Sequence, residues 1–376
     1  MKQRASLQIA APVLAIGVAV LVSGLMLSFT EYSAFDVFRV IGTEGFSKIY
    51  LIETVNRAAP YYISGCAVAV GFKMNLFNIG VEGQYKLAAL LAAAAGAAVT
   101  LPAPLHVLLI MVVAMVVGAA WASIPGVLKA TRGVSEVISS IMLNAIALGL
   151  SAYMLGRWLR APASVSPVVG TKPLADSARL PTLNPLLNAL GLGIPDANRV
   201  QSYIFVAAAV GIAFYVIIWR TRFGYDLRAS GSNPEAATAS GVDAKRMIIT
   251  AMLLSGGFAG LIGLNNIMGQ AGRYTDVSVV SGLGFTGIAI ALLGRNHPVG
   301  IALAALLWAF MDAVQTPLSN EGLPKQITAI MQGITVLSVV IAYEVVRRAG
   351  ARQQAAALRR DDDGTAATPG PEVAPA

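Results

Sequence analysis

Asn78, Glu82 and Gln84 lie with Gly80 and Gly83 between two long apolar runs. An ionisable side chain inside a bilayer is expensive and marks an ion path, a relay or a ligand counter-charge by default. Each glycine weakens a helix by about 1 kcal/mol relative to alanine. The combination predicts a helix broken at membrane depth. Its new N-terminus would present unpaired backbone N–H groups and the positive end of the helix dipole. Glu82 falls in that first turn, where the field favours an anion, and Asn78 stands where an N-cap would lie. Asn75 extends the polar set towards the preceding span. These residue types suit binding and proton relay rather than bond-making. Alternatively they only satisfy the broken backbone. Lys86 lies i+4 from Glu82 and is placed to pair with it, which argues against Glu82 touching substrate.

Other polar residues sit in apolar surroundings. Asn144 is mid-span, where an amide needs a partner; it either faces a pathway or clamps two helices. Asp312 could serve a proton-coupled carrier, but the expected partner is Lys325. Glu53 and Arg57 are spaced as an i,i+4 surface pair at the outer entrance of a span. Phe285 opens a second glycine-rich re-entry, Gly284-Phe285-Thr286-Gly287.

The elements that must carry these residues follow from composition. Of 376 residues, 56 % are hydrophobic and 12 % charged, about half the charge of a soluble domain. Mean hydropathy is +0.69. Runs of roughly twenty apolar residues recur, the length that crosses a bilayer as helix, and the short alternating segments of a barrel are missing. The chain is expected to be an all-α polytopic membrane protein. Its net charge of +8 is assigned to positive-inside topology, not to nucleic acid, because aromatic residues do not interleave with the basic ones. Cys66 is the single cysteine, so no intrachain disulfide forms. His106 and His297 are expected at the interfaces, and no metal-ligand spacing occurs. Gly-x-Ser-x-Gly and His-Glu-x-x-His are also missing, which disfavours an intramembrane enzyme.

About ten spans can be placed: 7–29, 49–72, 82–101, 104–129, 134–156, 201–220, 247–269, 279–294, 298–316 and 326–346. The first is expected to be an uncleaved span rather than a signal peptide, because its apolar run is too long and no Ala-x-Ala site closes it. Basic residues at the short loops put both termini in the cytoplasm. Residues 1–348 are expected to form one transmembrane domain, with a long external loop at 158–199 carrying short helices. A cytoplasmic loop at 221–245 has a short helix starting at Asn233-Pro234-Glu235. Residues 349–376 are expected to be a disordered cytoplasmic tail. The interruption at 73–82 and that at 272–287 occupy corresponding places in two halves of opposite orientation. Inverted repeats with broken helices are a pointer to a transport site.

At this point the sequence resembles a known family. Asn78-Ile79-Gly80-Val81-Glu82-Gly83-Gln84 is similar to the signature of permease subunits of ABC importers for branched-chain amino acids, simple sugars and nucleosides. Its glutamate form looks most like the nucleoside branch, which works with basic-membrane-type lipoproteins. Glu136-Val137-Ile138 with Ile141-Met142-Leu143-Asn144 resembles the fifth-span motif. The run from Phe223-Gly224-Tyr225 through Asn233-Pro234-Glu235-Ala236-Ala237 to Ser240-Gly241 resembles the coupling loop, and 284–298 the second-half signature. The resemblance implies a transport subunit of a bacterial plasma membrane, without catalytic residues or bound cofactor. ATP and Mg would be used by a separate ATPase with two nucleotide-binding domains, since no Gly-x-x-x-x-Gly-Lys-Ser/Thr occurs. A second permease, expected to be a related but different chain, and an external substrate-binding lipoprotein complete the implied assembly. Arg228, Asn233, Glu235, Ala236, Ala237 and Gly241 would meet the ATPase; a solvated loop helix is the plainer alternative. Asn75, Asn78, Glu82, Gln84, Asn144 and Phe285 are the candidate substrate pathway. A neutral, polar, aromatic-sized substrate suits the sparse charge, and a sugar suits it nearly as well. An ion-coupled secondary transporter using Glu82 and Asp312 is the remaining rival.

Overall fold

A computed structural model describes residues 17–164, 168–324 and 326–342, with 345, 346 and 348. The described residues are helical apart from connecting segments and one isolated bridge between Thr182 and Gln201. Two compact units separate. One is formed from Met1–Val40 and Leu318–Ala376, the other from Ile41–Pro317. The smaller contains the apolar helices α1 (Gly17–Leu27) and α16 (Gln326–Ala342), with Leu27, Ile327 and Met331 buried. Helix α2 (Ala34–Thr43) begins in it. The expected tail at 349–376 and the start of the first span lie outside the described residues.

The larger unit is built around α3 (Lys48–Lys73). Its second half, from Ile63 to Gly71, is almost wholly buried, and the helices Tyr203–Tyr215, Ala244–Leu261, Leu283–Leu293 and Pro298–Ala313 flank it. Helix α4 (Val81–Ala98) follows the first interruption. Helix α5 (Ala103–Arg132) closes on Gly133, whose φ of 68° lets its N–H return to the Lys129 carbonyl. Helix α6 (Glu136–Met154) is capped by Ser135 and ends in a π-turn, Leu155–Leu159. Helix α8 (Tyr203–Tyr215) ends likewise in Val216–Arg220. Helix α11 (Ala244–Leu261) starts on an Asp243 cap and gives way to α12 (Leu264–Asn266) and a π-turn, Ile267–Ala271. Helix α13 (Leu283–Leu293) is eleven residues long, α14 (Pro298–Ala313) follows, and α15 is Gln315–Asn320.

Helices α5 and α11 cross with their backbones nearly touching. A Cβ on Gly118 would lie 2.2 Å from the Gly256 carbonyl oxygen, and one on Gly260 2.0 Å from that of Ala114. Small residues at such a crossing let membrane helices pack without a hydrophobic driving force. The opposite face of α5 leaves Leu108, Val112 and Val116 exposed, as a lipid-facing surface requires. Five helices of the described residues are long and apolar enough to cross a bilayer, and three shorter ones are apolar. This is the pattern of a multi-pass membrane protein.

The long loop at 158–199 carries the short helix α7 (Asn184–Ala189) and a 3-10 turn, Asp176–Ala178. It is strapped to the segment after α12: Thr171 N–H donates to the Tyr274 carbonyl (3.0 Å), Leu174 to Gly272 (2.7 Å) and Leu180 to Met268 (2.9 Å). His106 is buried beneath this loop rather than interfacial. Its Nε2 lies 2.8 Å from the Gly96 carbonyl and its Nδ1 2.9 Å from Ser177 Oγ. Those two contacts explain the departure: a ring nitrogen at each end is satisfied inside the protein. His297 is exposed, with its ring against Trp219.

Candidate translocation site

The first interruption runs from the end of α3 to the start of α4. Asn75 is exposed and left-handed, with φ 57°, a conformation asparagine tolerates better than most residues. Asn78 and Gln84 are 1 % exposed and face each other amide to amide. Asn78 Nδ2 donates to Gln84 Oε1 at 3.0 Å, and Gln84 Nε2 donates to Asn78 Oδ1 at 2.9 Å. Asn78 Nδ2 also reaches Ser255 Oγ of α11 (2.9 Å), and Ser255 donates to the Ala67 carbonyl of α3 (2.6 Å). The N-cap position of α4 is Gly80, not Asn78. Asn78 Oδ1 instead accepts from Gly80 N–H at 3.1 Å, closing the turn before the helix.

Asn144 resolves to a clamp. Its Oδ1 accepts from Gly83 N–H (2.8 Å) and its Nδ2 donates to the Ile79 carbonyl (2.9 Å), so both ends of one amide grip the broken backbone. Glu136 grips it again: Phe77 N–H donates to its Oε1 (3.4 Å), while Lys129 Nζ holds Oε2 at 2.9 Å.

The second interruption is the stretch before α13, where Gly282 takes φ 90°. Its partner is Glu82. The Glu82 carboxylate accepts from Gly282 N–H at Oε1 (2.9 Å) and from Gly284 N–H at Oε2 (3.0 Å). A carboxylate from the first broken helix therefore caps the second, where unpaired N–H groups and the dipole both favour an anion. Lys86 Nζ lies 3.2 Å from Glu82 Oε1, the expected i,i+4 pair, and donates to Ser281 Oγ at 2.7 Å. The Tyr85 hydroxyl lies between Glu82 Oε1 (2.9 Å) and the Val280 carbonyl (2.6 Å). Ser64 Oγ donates to the Leu283 carbonyl at 2.7 Å. Close approach requires glycine at 284, because a Cβ there would lie 2.5 Å from Glu82 N. Phe285 is half-exposed.

Beside the tip of this second break is a cavity of about 590 Å³, lined by α3, α12, the end of the long loop, residues 278–283 and Asp312. None of the six candidate pathway residues lines it. At its wall Arg57 Nη1 meets Asp312 Oδ2 at 2.5 Å, Arg57 also pairs with Glu53 as expected, and Tyr61 donates to Asp312 Oδ2 at 3.2 Å. The partner of Asp312 is thus Arg57, reached across from α3 to α14, while Lys325 lies outside the described residues. Asp312 was not assigned to Arg57 because 255 residues separate them. The Tyr85, Ser64 and Ser255 contacts were also missed, although Ser255 interrupts an apolar run as visibly as Asn144 does.

The loop at 221–245 forms two helices rather than one, α9 (Arg222–Ser232) and α10 (Pro234–Ala239). Asn233 caps α10, its Oδ1 accepting from Glu235 and Ala236 N–H at 3.0 Å each. Glu235 and Ala236 are exposed, Ala237 is buried and Gly241 takes φ 86°. Arg228 is half-buried on α9. Helix α9 abuts the first break: a Cβ on Gly231 would lie 2.6 Å from the Lys73 carbonyl oxygen. Lys73 Nζ in turn stands 5.0 Å from the centroid of Trp219.

The family described as branched-chain amino acid transport system / permease component matches residues 50–340. The chain belongs to that family. The permease is 34 % identical over 337 residues to the guanosine ABC transporter permease protein NupP of Bacillus subtilis, covering 89 % of this chain and 93 % of that one. It is 35 % identical over 331 residues to the glucose ABC transporter permease protein TsgB13 of Haloferax volcanii, covering 88 % and 86 %. It is also 30 % identical over 294 residues to the nucleoside ABC transporter permease protein NupB of Lactococcus lactis, covering 77 % and 79 %. No solved structure matches the permease.

Proposed function

We propose that this permease is the membrane-spanning subunit of an ATP-driven ABC importer of nucleosides, with about ten spans in two inverted halves and both termini cytoplasmic. The observation that carries it is the Glu82 carboxylate bound to Gly282 and Gly284 N–H, which joins the glycine breaks of both halves in one contact. A gate built this way opens when that contact is exchanged for another. Asn78, Gln84 and Asn144 hold the first break in shape, Asn75 and Phe285 flank the path, and Glu82 is the moving link. The chain binds no cofactor of its own. ATP and Mg act on a separate ATPase with two nucleotide-binding domains, which docks on Arg228, Asn233, Glu235, Ala236, Ala237 and Gly241. The contact of α9 with the end of α3 offers a direct route from that dock to the first break. A related second permease and an external binding lipoprotein complete the transporter.

Two of the three relatives above are named for guanosine or nucleosides, which supports the substrate class. The glucose permease relative supports a second reading, simple-sugar import. Deleting the gene and measuring uptake of labelled guanosine, adenosine, uridine, ribose and glucose separates them. Loss confined to nucleosides is expected, and loss confined to sugars would select the second reading. Uptake that persists without ATP but fails when the membrane potential collapses would overturn both.

A further inference from the structure

The cavity beside the second break has the chemistry of a recognition site. Its charged wall residues are Glu53, Arg57, Arg199 and Asp312, two of each sign, so it presents no net charge. Arg57 and Asp312 neutralise one another directly. Around them stand amide side chains from three separate segments, among them Asn56, Gln201, Asn265 and Gln270. Asn265 Nδ2 donates to the Asn56 backbone carbonyl at 3.2 Å, which orients the amide and leaves its oxygen as an acceptor. Asn265 Oδ1 and Gln201 Oε1 are buried and have no hydrogen-bond partner. An unsatisfied buried acceptor is destabilising, and a ligand donor that reaches it removes that penalty. The volume lies within the range of small-molecule pockets, roughly 300–1,000 Å³. The floor is Ser281 and Leu283, adjacent to the two N–H groups that Glu82 holds.

We infer that this cavity is a recognition site of the permease itself for an uncharged, hydroxyl-bearing nucleoside, distinct from the site on the binding lipoprotein. The inference rests on the nucleoside reading above. Hydroxyl and ring N–H donors meet the amide oxygens, and the Tyr61 ring offers an apolar edge. A phosphorylated nucleotide is the poorer fit, because the carboxylates of Glu53 and Asp312 stand on the same wall and both already hold Arg57. Occupancy acts on the floor, and so on the contact between the two breaks.

The test uses a cysteine at the wall. Cys66 is fully buried, so Ile52→Cys in the otherwise unaltered chain provides one reactive thiol, with Ile49→Cys as a second position. Cells carrying the whole transporter are treated with a membrane-impermeant methanethiosulfonate, with and without guanosine or guanosine monophosphate. Guanosine is expected to slow labelling and the monophosphate to leave it unchanged, also in a strain lacking the lipoprotein. Asn265→Leu and Gln270→Leu are expected to raise the half-protecting guanosine concentration at least tenfold. Gln270 is exposed, so its replacement does not threaten folding. Labelling indifferent to guanosine in cells that accumulate it, protection found only with the lipoprotein present, or unchanged half-protection in both variants overturns the site. Failure to accumulate any nucleoside overturns the substrate reading instead, and the two failures are told apart by the uptake measurement alone.

Discussion

At the residue scale, Glu82 decides most. Its two oxygens accept from backbone donors of a helix 200 positions away, with Lys86 alongside. Glu82→Gln keeps the shape but turns an NH2 group towards a donor and leaves Lys86 without its anion. Breaking a buried pair from one side costs about 3–5 kcal/mol. The variant is therefore expected to melt several degrees lower, with uptake reduced at least about tenfold; equal melting and uptake would refute the linking role. Gly284→Ala should be as damaging for a different reason, since the added methyl must displace the backbone of Glu82. Uptake near zero with normal membrane expression is the expected result, read by transport assay and blot. Much of this was legible: an acid and two glycines at depth announced a break, and Lys86 at i+4 announced its neighbour. The bond from 82 to 284 was not. Nothing in local spacing relates two segments so far apart, and a carboxylate in the first turn of one helix reads as that helix's own dipole partner.

At the scale of elements, the apolar helices of a multi-pass protein were legible because apolar length alone determines them; five of the described helices are long and apolar enough to cross a bilayer. The second half of 221–245 was legible as well, since Asn233-Pro234 is a helix start with a mechanism. Helix α9 was missed because Gly224, Gly231 and polar residues lower its propensity; burial of Leu227 and the Thr221 cap on Gly224 N–H hold it instead. Asn233→Ala removes both cap bonds of α10, a loss of about 1 kcal/mol. With the whole complex assembled, the expected outcome is ATP hydrolysis that continues while uptake falls; a strictly proportional fall in both would deny α10 a coupling role. Between α3 and α14 the Arg57–Asp312 pair is only partly shielded from water, so its coupling is modest. A thermal-denaturation cycle of Arg57→Gln, Asp312→Asn and the double variant should return about 1 kcal/mol, weakening in high salt.

At the scale of the molecule, orientation is the prediction to settle first. A fluorescent-protein fusion at the C-terminus should glow and an alkaline-phosphatase fusion within 184–198 should be active, the reverse result inverting every assignment of inside and outside. Basic residues are the sequence's argument for this orientation, whereas the division of the chain into two units was not legible, because it depends on which helices meet. The crossing of α5 and α11 carries the final consequence. Two backbones in contact at Gly118, Gly256 and Gly260 have no side-chain cushion to shear through. Helices α5 and α11 are pinned there like blades of scissors at a rivet. Because Ser255 beside Gly256 bonds Asn78, the first glycine break sits at the rivet itself, where a pivot about the crossing would move it least.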